Sequence, residues 1–223
     1  LGYQAMYSNT TGNGRNTAVG AGSLYGNTTG YQNTAVGYNA GRGVTTGYMN
    51  TFMGESSGNG TTTGIENAFY GFGAGTANTT ASSNAFIGGY SGNVNTTGTN
   101  NTGCGHNTLR ANTTGASNTI IGASAGKTIT TGSNNTVVGK NAGFNLTTGS
   151  NNVFYGDDAG KDGVRNVTTG SNEVVIGNNQ ITRAAIKVDW TVGSDERDKA
   201  DITDFTHGLN YVNQLRPVNY VWD

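Results

Sequence analysis

The chain of 223 residues contains one proline, one cysteine and only 11% charged residues, and its apolar content is 33%. A single cysteine excludes an intrachain disulfide framework, and no apolar run reaches the length of a bilayer span. The net charge of −1 removes the electrostatic basis for nucleic acid or an anionic membrane surface as a partner, so neither nucleic-acid binding nor membrane insertion is expected. Scarce charge and proline also argue against simple disorder, because disordered chains of this polarity are usually rich in both. Glycine is abundant, at 38 residues, but it does not recur at every third position, which excludes a collagen helix. The composition leaves too little apolar material for an ordinary enzyme core. The sequence opens at Leu1 with no signal-like segment, so any targeting signal is expected outside these residues.

The sequence does have a repeat. Asparagine stands at Asn16, Asn33, Asn50, Asn67, Asn84, Asn101, Asn118, Asn135 and Asn152, a spacing of 17 residues held without exception. Four residues after each comes a glycine, from Gly20 to Gly156, and Thr-Thr-Gly lies later in nearly every unit, as at Thr28-Thr29-Gly30. Leu1-Gly2 opens a partial copy, and Glu173 to Gly177 closes the last, after an insertion around Asp162 to Asn166 lengthens one unit by four residues. Seventeen residues are too few for a helix pair and suit one coil of a parallel β-solenoid. With about 4.8 Å per coil, ten coils would stack into a rod about 50 Å long. The fold expected is therefore all-β, a parallel β-solenoid of 17-residue coils over residues 1–177.

Two apolar columns run through the repeats. The residue before the first glycine is Val19, Val36, Met53, Tyr70, Ile87, Cys104, Ile121, Val138, Tyr155 or Ile176, and we expect this column to line the interior. Its neighbour holds Ala18, Ala35, Phe52, Phe69, Phe86, Ile120, Val137 and Phe154 and must point to the opposite face. The reverse assignment, with the bulkier column inside, leaves the same problem: one large apolar stripe has to be covered. Its simplest cover is an identical chain. On this reading Cys104 is a buried small hydrophobe. The asparagine column is expected at a corner, as a structural ladder whose amides hydrogen-bond along the rod. Asn-Thr-Thr at Asn9, Asn27, Asn78 and Asn112 matches a glycosylation acceptor pattern, but this repeat multiplies such matches automatically.

All nine Asp residues lie at or beyond Asp157, and the preceding residues carry only Glu55 and Glu66 as acids. Residues 178–193 are read as an exit strand and linker, with a strand at residues 184–192. A short helix follows at Thr206 to Leu215, stopped by Pro217, and then a strand at Val218 to Trp222. The C-terminal segment is thus a short mixed α+β piece. It contains Ser194-Asp195-Glu196-Arg197-Asp198-Lys199 and, further on, Leu215-Arg216-Pro217-Val218.

These elements, in this order, resemble the opening of the endosialidase-type intramolecular chaperone, the self-cleaving C-terminal domain of many tailed-phage fibres and spikes. Its pattern is Ser-Asp-x-Arg-x-Lys followed by a Leu-Arg-Pro-Val segment, and Asp198 stands where that family often has Leu. The resemblance covers residues 194–223 and implies that most of such a domain would follow Asp223. It also implies that Ser194 is the nucleophile toward an adjacent peptide bond and Lys199 the neighbouring base, with Asp195 and Arg197 supporting the motif. Read without the resemblance, Ser194 and Asp195 cap a turn and Lys199 is solvated. The 17-residue units separately resemble the heads of trimeric autotransporter adhesins, with a longer period than is usual there.

Near-identical coils specify their own alignment poorly, since sliding one chain by 17 residues past its partners preserves most contacts. A C-terminal trimerising domain would set that register. The function expected is a phage tail-fibre structural protein for host attachment, located in the virion. Its partners would be two further copies of itself and a host cell-surface receptor, with glycans among the candidates. The alternative is a bacterial adhesin head at the cell surface. Any enzymatic activity would be autoproteolysis in the C-terminal segment, none being expected of the repeats, and no cofactor or metal is implied: His106 and His207 lack metal-ligand spacing. Regularly spaced threonine could suggest ice binding, but adjacent Thr-Thr sends the two hydroxyls to opposite faces, and the repeats lack the paired acids of a polysaccharide hydrolase. Tyr3, Tyr31, Tyr38 and Tyr48 could form a glycan-stacking surface or simply pack along the rod.

Overall fold

The computed structural model describes residues 2–10, 14–161 and 165–184. Contacts divide the chain between Thr182 and Arg183, and the description below concerns the first of these units. The sequence readings of a strand at 184–192, a helix at 206–215, a strand at 218–222 and the Ser194 motif fall almost entirely outside the described residues.

Each repeat contributes one three-residue strand: β1 (Thr17–Val19), β2 (Thr34–Val36), β3 (Thr51–Met53), β4 (Ala68–Tyr70), β5 (Ala85–Ile87), β6 (Thr102–Cys104), β7 (Thr119–Ile121), β8 (Thr136–Val138), β9 (Val153–Tyr155) and β10 (Val174–Ile176). They form one parallel sheet in sequential order. The pairing is in exact repeat register, with Phe52 opposite Phe69 and Phe69 opposite Phe86. Between β9 and β10 the step lengthens, pairing Val153 with Val174, so the insertion is absorbed in one coil and the stacking continues. The fold is an all-β parallel solenoid.

The strands are short because a glycine in a left-handed conformation follows each one. At Gly71 φ is +130°, and a Cβ would lie 2.7 Å from the backbone of Gly88 in the next coil. Backbones therefore touch at this corner, which only glycine permits. The opposite corner uses non-glycine residues: Met49, Glu66, Ser83, Asn100, Ser117, Asn134 and Asn151 hold φ between 57° and 59°, and each directly precedes a repeat asparagine.

The interior is built by the middle residue of every strand. Phe52, Phe69, Phe86, Ile120, Val137 and Phe154 are fully buried, whereas Val19, Ile87, Ile121 and Ile176 are exposed. This corrects the expectation that the Val19 column lines the core. Strand alternation puts the two columns on opposite faces but does not say which is inside. The turn decides, because six residues after a phenylalanine comes a glycine whose missing side chain makes room for the ring. A Cβ on Gly58 would lie 2.3 Å from Phe52, and one on Gly75 would lie 2.4 Å from Phe69. In two coils a small strand residue goes with a large turn residue: Ala18 with Leu24 and Gly103 with Leu109, both leucines fully buried. Ala35 instead goes with Gly41, and the space is filled from the next coil, where a Cβ on Gly41 would lie 2.5 Å from the Phe52 ring. Volume is thus shared among neighbouring side chains within and across coils.

The asparagines Asn33 to Asn152 are buried and bonded from coil to coil. The Asn101 side chain donates to the Gly115 carbonyl at 2.8 Å, and its Oδ1 accepts from the Asn118 backbone N–H at 3.1 Å and from Asn118 Nδ2 at 3.0 Å. Corresponding bonds join Asn33, Asn50 and Asn67. The series ends where the Glu173 backbone N–H donates to Asn152 Oδ1. A second, shorter file runs through Asn78, Asn95 and Asn112. It stops at Ile129, leaving Asn112 Oδ1 buried without a partner. On the remaining side of the coil, Thr28, Thr45, Thr62, Thr79, Thr96 and Thr113 each donate a hydroxyl to the threonine carbonyl one coil on.

Candidate functional site

Because the middle strand residues turn inward, the flanking ones form the outer face of the sheet. That face carries Val19, Val36, Met53, Tyr70, Ile87, Cys104, Ile121, Val138, Tyr155 and Ile176 in single file. Ile87 and Ile121 remain 45% and 42% exposed, and Val153 and Val174 add to the file at its C-terminal end. No charged side chain interrupts either outward column of the sheet. A continuous apolar stripe of this length is unusual for a surface left in water. Cys104 belongs to it and is half-buried, which corrects its placement in the core. It stands between Ile87 and Ile121 in the register of the sheet.

The turn side of the coil has a different chemistry. One turn position is occupied by Tyr25, Arg42, Asn59, Thr76, Asn93, Arg110, Lys127, Phe144 and Lys161. The cations are steadied by aromatic rings: Arg42 lies 5.2 Å from the Tyr25 ring, Arg110 5.5 Å from Tyr90, and Lys127 and Lys161 5.2 and 5.0 Å from Phe144. Such contacts suit a cation that keeps part of its solvation. Lys161 also bonds Asp158 at 3.0 Å, and that hydrogen bond holds the Asp158 carboxyl below its ordinary range. Within the lengthened coil, Arg165 grips Glu173 with two bonds of 2.6 Å, which lowers the Glu173 pKa and raises that of Arg165. This turn column follows the same 17-residue period as the asparagines in a different phase and could have been found by reading every phase of the repeat.

The four tyrosines noted in the sequence do not form one surface. Tyr31 and Tyr48 stack on each other, with ring centroids 4.7 Å apart, just ahead of the asparagine corner. Tyr3 and Tyr38 instead line a cleft of about 330 Å³ on the turn side, together with Gln4, Tyr25, Asn39 and Arg42. Sequence reading missed Tyr25, Asn39 and Arg42. A second cleft, about 370 Å³, lies further along the same side beside Arg110 and Lys127.

The ladder residues Asn33 to Asn152 are enclosed by the coils they join, and Asn16 is part-buried. Of the sequons, Asn27, Asn78 and Asn112 bury their amides. His106 sits against Asn107 and the edge of Tyr90. Among the described residues no group of three or more His, Cys, Asp or Glu is placed to hold a metal ion, and no helix is long and apolar enough to cross a membrane. Ser194, Asp195, Arg197 and Lys199 lie outside the described residues, as does His207.

Neither the curated proteins nor the solved structures contain a match to this chain. Residues 194–223 match the family model described as chaperone of endosialidase, and they are the residues that carry the Ser-Asp-x-Arg-x-Lys pattern.

Proposed function

We propose that the chain is a phage tail-fibre-like structural protein, carried on the virion, whose repeats form a homotrimeric rod for host attachment. Its C-terminal segment would be the start of the chaperone that aligns the three chains. The observation that carries this reading is the chaperone match at residues 194–223 directly after a solenoid whose outer sheet face is an unbroken apolar stripe. The stripe supplies a reason to associate, and the identical coils supply a reason for an alignment device. Every coil offers the next the same apolar contact, so wrong registers are nearly as favourable as the right one. Folding the chaperone first would bring three chains together at one height, after which the coils can close in register. Three chains, rather than two, is what both the chaperone motif and the likeness to adhesin heads imply.

Within this reading Ser194 Oγ attacks the carbonyl carbon of the adjacent peptide bond and passes its proton to a neutral Lys199 amine. The departing amine takes a proton, and water then hydrolyses the ester. Lysine can serve as this base only when desolvated, which lowers its pKa, so cleavage follows assembly and does not precede it. Removing the chaperone leaves a rod held by its barrier to unfolding as much as by its equilibrium stability.

The test is mass spectrometry of a precursor carrying the complete C-terminal domain. A new terminus beside Ser194 is expected in the assembled wild type, and Ser194→Ala is expected to give an assembled, uncut chain. A wild type that assembles without any cut there would remove self-cleavage. A precursor that assembles in register after deletion of everything beyond Gly193 would remove the chaperone role.

A further inference from the structure

The cleft at the N-terminal end of the turn side has the makeup of a saccharide site. Tyr38, which has a coil on either side of it, is 57% exposed and offers ring surface to solvent that its own packing does not use, and Tyr3 lines the cleft beside it. Tyr25 forms a third side and is fixed from both directions, stacked on Tyr7 at 5.3 Å and covered by Arg42. Polar groups converge between the rings. Asn39 is held in a left-handed turn with φ of 55°, and its amide oxygen rests over Gly22, where a Cβ would lie 2.3 Å from it. The glycine therefore opens the floor on which the Asn39 amide lies. Among the described residues the Asn39 side chain makes no hydrogen bond within the protein, and Arg42 has no carboxylate partner. Glu55, one coil beyond Tyr38 in the same column, forms no ion pair with it.

We propose that this cleft binds a carboxylate-bearing sugar, such as a uronic acid unit of a surface polysaccharide. A pyranose ring has one face of C–H groups that lies against an aromatic ring, and hydroxyls at its rim that suit the paired donor and acceptor of an amide. Tyr3 and Tyr38 supply the platforms, Asn39 and Gln4 the amides. Arg42, already oriented by Tyr25, presents free N–H groups to a carboxylate, which it can hold through two bonds. The volume lies at the low end for small-ligand sites and suits one or two sugar rings. A single-stranded nucleic acid would need a row of cations tracking its phosphates, and this cleft has one. The inference rests on the attachment reading for the source of its ligand, the host surface. It does not depend on the sheet face, because the cleft lies on the turn side.

The test is binding of the full chain to an immobilised panel of uronic-acid-bearing oligosaccharides, each paired with its carboxyl-reduced form. At least one acidic member should bind, with its reduced partner at least tenfold weaker. Tyr38→Ala should weaken that binding about tenfold, Arg42→Gln should erase the preference for the acidic form, and Tyr31→Ala, in the other tyrosine pair, should change neither. Sedimentation of the same samples keeps the two readings apart, since a trimer that binds no panel member above the Tyr38→Ala/Arg42→Gln double variant overturns the site and leaves the fibre reading standing. Binding that the two variants leave unchanged, or tighter binding of a single-stranded oligonucleotide at the same residues, would equally overturn it.

Discussion

At the scale of single residues, stability resides in side chains that complete the backbone bonding of a neighbouring coil. Asn101 is the clearest case: its amide serves the Gly115 carbonyl and two groups of Asn118. Asn101→Ala would leave the Asn118 backbone N–H and one Asn118 Nδ2 hydrogen without an acceptor in a buried place, at about 1–3 kcal/mol each before any water enters, while the Gly115 carbonyl still accepts from Asn112 Nδ2 at 2.9 Å. A loss of about 3 kcal/mol in unfolding free energy is expected, read as a lower urea midpoint at unchanged m. The corner residues offer the opposite opportunity. Met49 is 46% exposed and holds φ of 57°, a conformation in which most side chains are strained and asparagine is tolerated. Asparagine already occupies the equivalent corner at Asn100, Asn134 and Asn151. Met49→Asn should therefore stabilise the protein by about 0.5–1 kcal/mol, raising the thermal midpoint.

At the scale of the coil, the strand centre and the turn six residues later fill one space together, except at Ala35 and Gly41, where Phe52 of the next coil fills it. Two of the solutions are a large strand residue with glycine in the turn, as in Phe69 with Gly75, and glycine in the strand with leucine in the turn, as in Gly103 with Leu109. Phe69→Gly alone would open a cavity and cost about 3–5 kcal/mol, and Gly75→Leu alone would collide with the Phe69 ring. Together they reproduce the arrangement of the Gly103 coil. A double-mutant cycle is expected to show the pair less destabilised than the sum of the singles by more than about 1 kcal/mol. This compensation is also why the core column was misassigned from the sequence. The period, the parallel stacking and the all-β class were legible, because Asn and Gly recur every 17 residues without exception. Which apolar column faces inward was not, since alternation within a three-residue strand is symmetric. The deciding signal was the inverse relation between Phe52 and Gly58, or Gly103 and Leu109, which links two different phases of the repeat. The cleft was half legible: Tyr3 and Tyr38 were visible as exposed aromatics, but only the coil winding brings Asn39 and Arg42 between them.

At the scale of the molecule, the outward stripe from Val19 to Ile176 is the surface left to be covered. An uncovered stripe would make the solenoid prone to unspecific association, whereas a stripe covered by identical chains ends as a closed assembly. Ile87 and Ile121 lie near the middle of the stripe on either side of Cys104, and both point away from the core, so charges placed there should break association without emptying the interior. The measurement that tests this most directly is sedimentation equilibrium of the chain bearing its complete C-terminal domain, beside the Ile87→Glu/Ile121→Glu variant. The wild type should have the mass of three chains, and the variant the mass of one with an unchanged β-sheet circular dichroism spectrum. A wild type that is a stable, soluble single chain, or a variant that still forms trimers, would contradict the account.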